Sequence, residues 1–471
     1  MSKKTAKQIL PFLLLAVVAL AAMFVKPEAD FVPGEGSTPY SNADIAWVLV
    51  STALVFLMTP GLAFFYGGMV NRKNVISTMI KSTVAAGLVG VLWVVCGFSL
   101  AFGESINGLF GNPGTYAFFE GVKSGPAWPA ATTIPLSLFS LFQLMFAIIT
   151  PGLVVGAVAE RIRFTSYILF IILFSLLVYA PVAHWSWHPE GFLAKMGAWD
   201  FAGGTVVHIT AGCAALAGAL VLKRRKTHIE QKEIPPANVP YVLIGTGLLW
   251  FGWFGFNAGS AVGATPLAVN AFGTTTTAAS AAGLGWMFFD VIKGKKPSVL
   301  GFCIGAVVGL VAITPAAGFV GIPQSIIIGL AGSMVANIAV GIKQKSKLDD
   351  TLDVFPCHGL GGMVGMLLTG VFANTAVHGI SGGPHGLFYG NAPFFFTQLK
   401  AMAIVVGYSF VVSYGIFRFI NFILPLRVTE TEEELGLDET QHNEKYLQGT
   451  LLIQNNGKME EKSIESESIY K

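Results

Sequence analysis

Residues 45–67 read IAWVLVSTALVFLMTPGLAFFYG and contain no charged side chain. A helix of about 20 mostly apolar residues crosses the roughly 30 Å hydrocarbon core of a bilayer, so this stretch predicts a transmembrane helix. Further apolar stretches follow along the chain, at residues 75–102, 137–159, 166–184, 203–222, 240–258, 267–292, 298–316, 323–342, 357–376 and 397–424. The sequence therefore predicts an all-α polytopic membrane protein with eleven transmembrane helices.

The composition also indicates a chain that is largely surrounded by lipid. Of its 471 residues, 53% are hydrophobic and 12% are charged, whereas about 25% of the residues in a soluble domain are charged. The net charge of +3 gives no indication of a nucleic-acid partner. The four cysteines lie singly in apolar stretches without CxxC spacing, so we expect no disulfide framework, no metal site and no cofactor.

Basic residues alternate between the predicted loops and so predict the orientation of the chain. The loops after the first, third, fifth, seventh and ninth spans hold fifteen lysines and arginines, whereas the intervening loops hold only Lys123 and Lys195. Because basic residues accumulate in cytoplasmic loops, the first span begins outside and the C-terminus is cytoplasmic. The membrane domain is predicted to cover residues 40–425.

The N-terminal segment, residues 1–25, has the pattern of a signal peptide. Three lysines precede an apolar run at 9–25, and Ala19-Leu20-Ala21 resembles a small-residue cleavage site. The alternative is a retained extra helix, since the run is long for the apolar region of a signal. Both alternatives place residue 30 outside.

The C-terminal segment, residues 426–471, is polar and acidic, in contrast to the rest of the chain. It is interpreted either as a solvated, partly disordered cytoplasmic tail or as a docking and regulatory element. Near its end, Asn455-Asn456-Gly457 predicts a turn.

Two histidines lie in predicted spans, where an ionisable side chain is costly and therefore suggests function. His208 and His358 occupy the fifth and tenth spans, each after a segment interrupted by glycine or proline. They correspond if the fold consists of two inverted five-helix halves plus one extra helix, an arrangement that predicts a transport site near the midplane. The rings meet only if the irregular backbone before each helix lies deep in the protein; otherwise they are two separate core histidines.

The aromatic residues near these spans are weaker indicators of a functional site than the two histidines. Packing in the interior or in an interfacial belt is the usual role of aromatic residues in membrane proteins. From the residues alone, this interpretation applies to Phe142, Phe146, Trp187, Trp253, Phe254 and Phe256.

Five segments in the same chain, taken together, resemble the ammonium transporter (Amt/Mep/Rh) family, bacterial Amt type. They are PGLAFFYGG at 60–68, GAVAERIRF at 156–164, DFAGGTVVH at 200–208, WFGFNAGS at 253–260 and DVFPCHG at 353–359. The resemblance extends over residues 40–445. It implies eleven spans in two inverted halves and a homotrimer in the plasma membrane, with one pore in each subunit.

The resemblance also implies roles for individual residues. His208 and His358 match the paired histidines of the family's pore. The outer site that recruits ammonium matches Phe142, Phe146, Trp187 and Ser260, and the phenylalanine gate below it matches Phe146 and Phe256. Asp200 matches a carboxylate that supports the recruitment site structurally.

The implied function is the transport of ammonium. The ion would be held at the outer site, lose its proton near the gate and cross the pore as ammonia, while the histidine pair helps to carry the proton. The tail up to Tyr446 resembles the family's segment that binds PII-type signalling proteins. Asn443 and Lys445 depart from that pattern, and the extension after Tyr446 lies outside it.

Two other function classes are alternatives to transport. An ammonium sensor would use the same recruitment site and signal through the tail, which is short for a signalling domain. A membrane enzyme with metal-bound histidines is the weaker alternative, because no third ligand accompanies the pair.

Overall fold

The computed structural model describes residues 3–34, 38–379, 383–446, 450–455 and 458–463. Helices dominate this part of the chain, and a helical segment occupies each of the eleven predicted apolar stretches. In chain order the helices are α1 Lys3–Ala22, α2 Asn42–Met69, α3 Val75–Leu92 continuing through Trp93–Gly97 and Phe98–Phe102, α4 Leu136–Val158, α5 Phe164–Phe174 continuing through Ser175–Tyr179 and Ala180–Trp187, α6 Gly204–Ile209 with Thr210–Leu222, α7 Val239–Trp253 with Phe254–Ala258, α8 Pro266–Ile292, α9 Val299–Ile313, α10 Ile322–Gln344, α11 Phe355–Leu360 with Gly361–Phe372, α12 Ala392–Ile423, α13 Glu430–Leu435 and α14 Leu437–His442.

Nine helices of the described residues are long and apolar enough to cross a membrane, namely α2 to α7 and α10 to α12. The chain is thus a helical protein with several candidate membrane spans. The helix α9 has 15 residues, fewer than the roughly 20 that a perpendicular crossing needs. The helix α8 is long enough, with 27 residues, but it carries four consecutive threonines and several small residues.

The remaining regular structure is short. Helical turns occur at Arg72–Asn74, Ala117–Phe119, Phe192–Lys195, Lys226–Ile229, Gly259–Ala261, Thr375–His378 and Leu387–Tyr389. Two antiparallel strand pairs join β1 Ser105–Ile106 to β2 Phe110–Gly111 and β3 Thr450–Asn455 to β4 Lys458–Ser463. Of the predicted turn at Asn455-Asn456-Gly457, Asn455 ends β3 and the other two residues lie outside the described part of the chain.

Glycines bring helices of the two predicted halves into close contact. A Cβ atom placed on Gly245 of α7 would overlap with the backbone nitrogen of Phe65 in α2, and one placed on Gly212 of α6 would overlap with the backbone of Gly359 in α11. A larger residue at either position would therefore force the two backbones apart. The second of these contacts places the two histidine-bearing helices side by side.

The segment after α1 lies against a loop between α3 and α4. The carboxylate of Glu28 accepts hydrogen bonds from the backbone N–H of Gly121 and from the N–H and hydroxyl of Ser124. In α1 itself, the apolar side chains of Phe12, Leu14 and Val17 are exposed. Most of the described side chains of α1 are exposed in the same way.

The tail up to Tyr446 is folded onto the ends of several membrane helices. Arg163, just before α5, forms a bidentate ion pair with Glu432, at 2.7 and 3.2 Å. Arg427 pairs with Glu433 at 2.7 Å, and Thr429 caps α13. Residues 426–446 are therefore packed against the helix ends, and their role as a docking or regulatory element stays a prediction.

Candidate functional site

The fifth predicted span begins with a turn that Asp200 caps. The Asp200 carboxylate accepts hydrogen bonds from the backbone N–H of Gly203 at 2.9 Å, Gly204 at 2.7 Å and Thr205 at 2.7 Å. Gly203 adopts a positive φ of 112°, which a residue without Cβ adopts at no steric cost. The first turn of α6, Gly204–Ile209, is π-helical, and π-helical turns are frequent at functional sites.

The tenth predicted span starts in the same way. The Asp350 carboxylate is buried and accepts the backbone N–H of Val354 at 3.0 Å and of Phe355 at 2.7 Å. The first turn of α11, Phe355–Leu360, is also π-helical. Both aspartates precede a histidine by eight residues. The sequence analysis missed this repeated Asp-x7-His spacing, which is the residue-level signature of two related helix starts.

The two histidines face each other in the interior of the protein. His358 Nδ1 lies 3.4 Å from His208 Nδ1. His208 is only 1% exposed and His358 only 4%. A contact between two Nδ1 atoms requires that one of them carries a proton and the other accepts it. The buried Nε2 atom of His208 has no hydrogen-bond partner among the described residues. One proton is thus shared between the two Nδ1 atoms, and the Nε2 atom of His208 can form a hydrogen bond with a bound molecule.

A narrow cavity lies beside this pair. Its lining is aliphatic and aromatic apart from the two imidazoles, and includes Leu153, Trp253 and Phe256. The cavity volume is about 10 Å³, close to the minimum that one water-sized molecule occupies. The space therefore fits a single small neutral molecule that can hydrogen-bond to an imidazole.

A continuous series of aromatic rings leads from Trp187 to this cavity. The ring centroids of Trp187 and Phe146 are 5.9 Å apart, and those of Phe142 and Phe146 are 5.0 Å apart. Phe146 and Phe256 approach to 4.3 Å. The Phe256 ring lies 5.9 Å from the His208 ring. The two phenylalanines thus separate Trp187 from the histidine pair.

Ser260 and Asp200 are each linked to this series by one hydrogen bond. The Ser260 hydroxyl donates to the carbonyl oxygen of Phe256 at 2.8 Å, one helical turn before it. Its oxygen lone pairs can still accept a hydrogen bond from a cation. The indole N–H of Trp187 donates to the carbonyl oxygen of Asp200 at 3.0 Å, so Asp200 fixes both the Trp187 ring and the first turn of α6.

Trp253 belongs to the site, although the sequence analysis grouped it with packing aromatics. Its ring stacks on the His208 ring at 5.4 Å with an interplanar angle of 21°. Its indole N–H donates to the Thr314 hydroxyl at 2.9 Å. This bond fixes the plane on which the imidazole lies. Trp253 precedes Phe256 by about one helical turn, and this spacing was the signal in the sequence that could have placed Trp253 at the site.

Comparisons with known proteins agree on one family. The model of the Ammonium Transporter Family matches residues 46–446. The ammonium transporter of Bacillus subtilis (strain 168) is 46% identical over 409 residues, which cover 87% of this chain and 99% of that protein. The crystal structure of Saccharomyces cerevisiae Mep2 superposes with a TM-score of 0.78 at 35% identity, over 83% of this chain and 88% of that one. A solved protein named Sensor Amt Protein gives the same TM-score of 0.78 at 29% identity, over 85% of this chain and 98% of that one.

Proposed function

The chain belongs to the ammonium transporter family, and from this premise we propose that it transports ammonium across the plasma membrane as a multi-pass protein. In this proposal α2 to α12 cross the bilayer eleven times, with the start of α2 outside and the tail in the cytoplasm. The distribution of basic residues supports that orientation. Residues 1–25 are proposed as a cleaved signal peptide.

Two inverted halves, α2–α6 and α7–α11, with α12 as the extra helix, form the proposed scaffold. The corresponding helices α2 and α7 are in close contact, and so are α6 and α11. The matching Asp-x7-His segments at the starts of α6 and α11 support the same symmetry. Inverted repeats of this kind place a transport site where interrupted helices meet. We propose a homotrimer of such subunits, in line with the family.

Recruitment of ammonium is assigned to the aromatic site above the gate. A cation over the face of Trp187 gains about 1–2 kcal/mol from cation–π attraction when it is partly desolvated. The Ser260 hydroxyl oxygen would accept a hydrogen bond from the ion. Phe142 and Phe146 complete the apolar wall of the site.

Conduction then proceeds as ammonia rather than as the ion. The cavity beyond Phe256 is too small and too apolar for a hydrated cation, and an unpaired charge in such a place carries a large desolvation penalty. Ammonia has no such penalty. The ion therefore loses its proton near the Phe146–Phe256 gate, ammonia moves past the imidazoles, and the paired histidines help to carry the proton. The observation that carries this proposal is the 3.4 Å contact between His208 and His358 beside a narrow, mostly apolar cavity.

The test of the substrate uses purified protein in proteoliposomes. An inward ammonium gradient is expected to produce a transient current, whereas an equal potassium gradient produces none, because potassium has no proton to lose. His228→Ala is expected to keep the ammonium current, since this histidine lies on the short helix Lys226–Ile229 and does not line the cavity. A potassium current equal to the ammonium current would refute the proposal.

The second candidate function is ammonium sensing through the tail. It is favoured by the similarity to the Sensor Amt Protein and by the docked position of residues 426–446. Growth at limiting ammonium separates the two functions. A transporter restores growth in a strain that lacks its own ammonium uptake, whereas a pure sensor does not.

A PII-type protein is the proposed cytoplasmic partner of this face. Asn443, Lys445 and the extension after Tyr446 depart from the family's tail pattern and count against this pairing. A pull-down with a PII protein, using the full chain and a variant ending at residue 425, decides it. Equal recovery with both would show that the tail takes no part.

A further inference from the structure

Lys81 is an ionisable side chain inside the second predicted span that the transport proposal does not use. It lies on α3 and is 1% exposed. Its ammonium group donates to the carbonyl oxygen and to the hydroxyl of Ser77, at 3.1 and 2.5 Å. Both acceptors are neutral and belong to the same helix. An ionisable side chain at such a place is costly and needs a partner of opposite charge.

The docked tail brings a carboxylate to the same serine. Asp438 is 2% exposed and accepts the backbone N–H of Ser77 at 2.7 Å and of Ile76 at 3.1 Å. Burial raises the pKa of the Asp438 carboxyl, while these two N–H groups and the charge on Lys81 oppose the rise. The His442 ring, one turn further along α14, lies 3.3 Å from the Ser77 hydroxyl.

The tail also has a charged contact of a different kind. Lys226 and Glu434 form an ion pair in which both side chains are more than half exposed. Such exposed pairs contribute little to stability. Lys81 and Asp438, in contrast, are almost fully buried around one serine.

We propose that Lys81 is a membrane-buried anchor for the C-terminal tail, with Asp438 as its counter-charge. Docking of α14 covers the ammonium group and at the same time supplies the carboxylate that compensates it. When Asp438 is neutralised, docking covers a cation without compensation. When Lys81 is also neutral, that penalty disappears. The tail is thus held by charge pairing with the membrane domain itself, independently of any partner protein and of the transported substrate.

A double-mutant cycle in the full chain tests this inference. A spin label on Leu435→Cys, an exposed position on α13, reports docked and released tail in lipid nanodiscs, in a Cys96→Ala background. Asp438→Asn is expected to raise the ratio of released to docked tail more with Lys81 present than in the Lys81→Met background, because the carboxylate compensates a charge only where Lys81 is charged. Lys81→Met alone is expected to change it less than about threefold. In that background Asp438→Asn retains only the effect of its weakened hydrogen bonds to Ser77 and Ile76.

The matched control is the exposed pair, with Glu434→Gln alone and together with Lys226→Met. Each of these is expected to change the ratio less than about fivefold. Lys81→Gln, which keeps a hydrogen-bond donor to Ser77, serves as a second neutral background if Lys81→Met does not fold. An effect of Asp438→Asn that is equally large in the charged and neutral backgrounds would overturn the proposal.

Discussion

Replacement of Asp200 by alanine should destabilise the protein strongly. The side chain accepts three backbone N–H groups at 2.7–2.9 Å, all within the buried start of α6. A hydrogen bond to a charged acceptor contributes about 1.5–3 kcal/mol, and donors left unpaired in a buried site add to the loss. Because the three bonds share one carboxylate, we expect a total loss of about 3–6 kcal/mol for Asp200→Ala.

Thermal unfolding of the solubilised protein measures this effect. Asp200→Asn keeps one acceptor oxygen, so its decrease in Tm should be roughly half of that for Asp200→Ala. Asp30→Asn is the control, because Asp30 is exposed and its ion pair with Lys123 is a surface pair. A Tm for Asp200→Ala within experimental error of that for Asp30→Asn would refute the capping role.

Further predictions concern recruitment, helix contact and pH. Trp187→Leu removes about 1–2 kcal/mol of cation–π attraction, so the ammonium concentration for half-maximal current should rise about 5- to 30-fold; an unchanged value would exclude Trp187 from recruitment. Gly212→Ala should lower Tm and the ammonium current by separating α6 from α11, since overpacking costs about 1–3 kcal/mol, while Gly87→Ala, whose Cβ meets open space, should leave both unchanged. Burial raises the pKa of Glu432, but hydrogen bonds from Thr429 and the charge of Arg163 outweigh this and hold that pKa below its ordinary value of 4.5. Ionised Glu432 therefore stabilises docking of the tail above pH 4.5. This stabilisation should be lost as the pH falls through the lowered pKa of Glu432. Spectra of the Leu435→Cys label that do not change with pH in this range would contradict this.

The helices were predictable because their apolar runs are long and lipid imposes a simple rule on them. The helix starts were not. Hydropathy alone placed His208 and His358 near opposite faces, since it does not register the deep irregular backbone that Asp200 and Asp350 hold by hydrogen bonds. The repeated Asp-x7-His spacing was present in the sequence. It is difficult to recognise because the residues between each Asp and His differ in the two segments.

Lys81 illustrates a second limit of the sequence. It lies within the predicted stretch 75–102, where a lysine is unusual enough to be a functional signal. Its partner could not be inferred, because the contact of Asp438 with Ser77 joins residues 361 positions apart. The tail could likewise be recognised as acidic, but composition does not tell whether the acidic residues face water or the basic ends of the helices.

The aromatic residues show what a family resemblance adds to residue chemistry. Their types alone predicted packing, and the resemblance assigned roles to Phe142, Phe146, Trp187 and Phe256. The structure places these four rings in one series that ends at His208. Those roles are proposals that depend on measured transport.

The most direct measurement is the ammonium-triggered current of the His208→Ala and His358→Ala variants in proteoliposomes, with folding verified by thermal unfolding. The account predicts that each substitution abolishes the current, because proton transfer then lacks one of the two imidazoles that meet at Nδ1. Currents of wild-type size in both variants would contradict it.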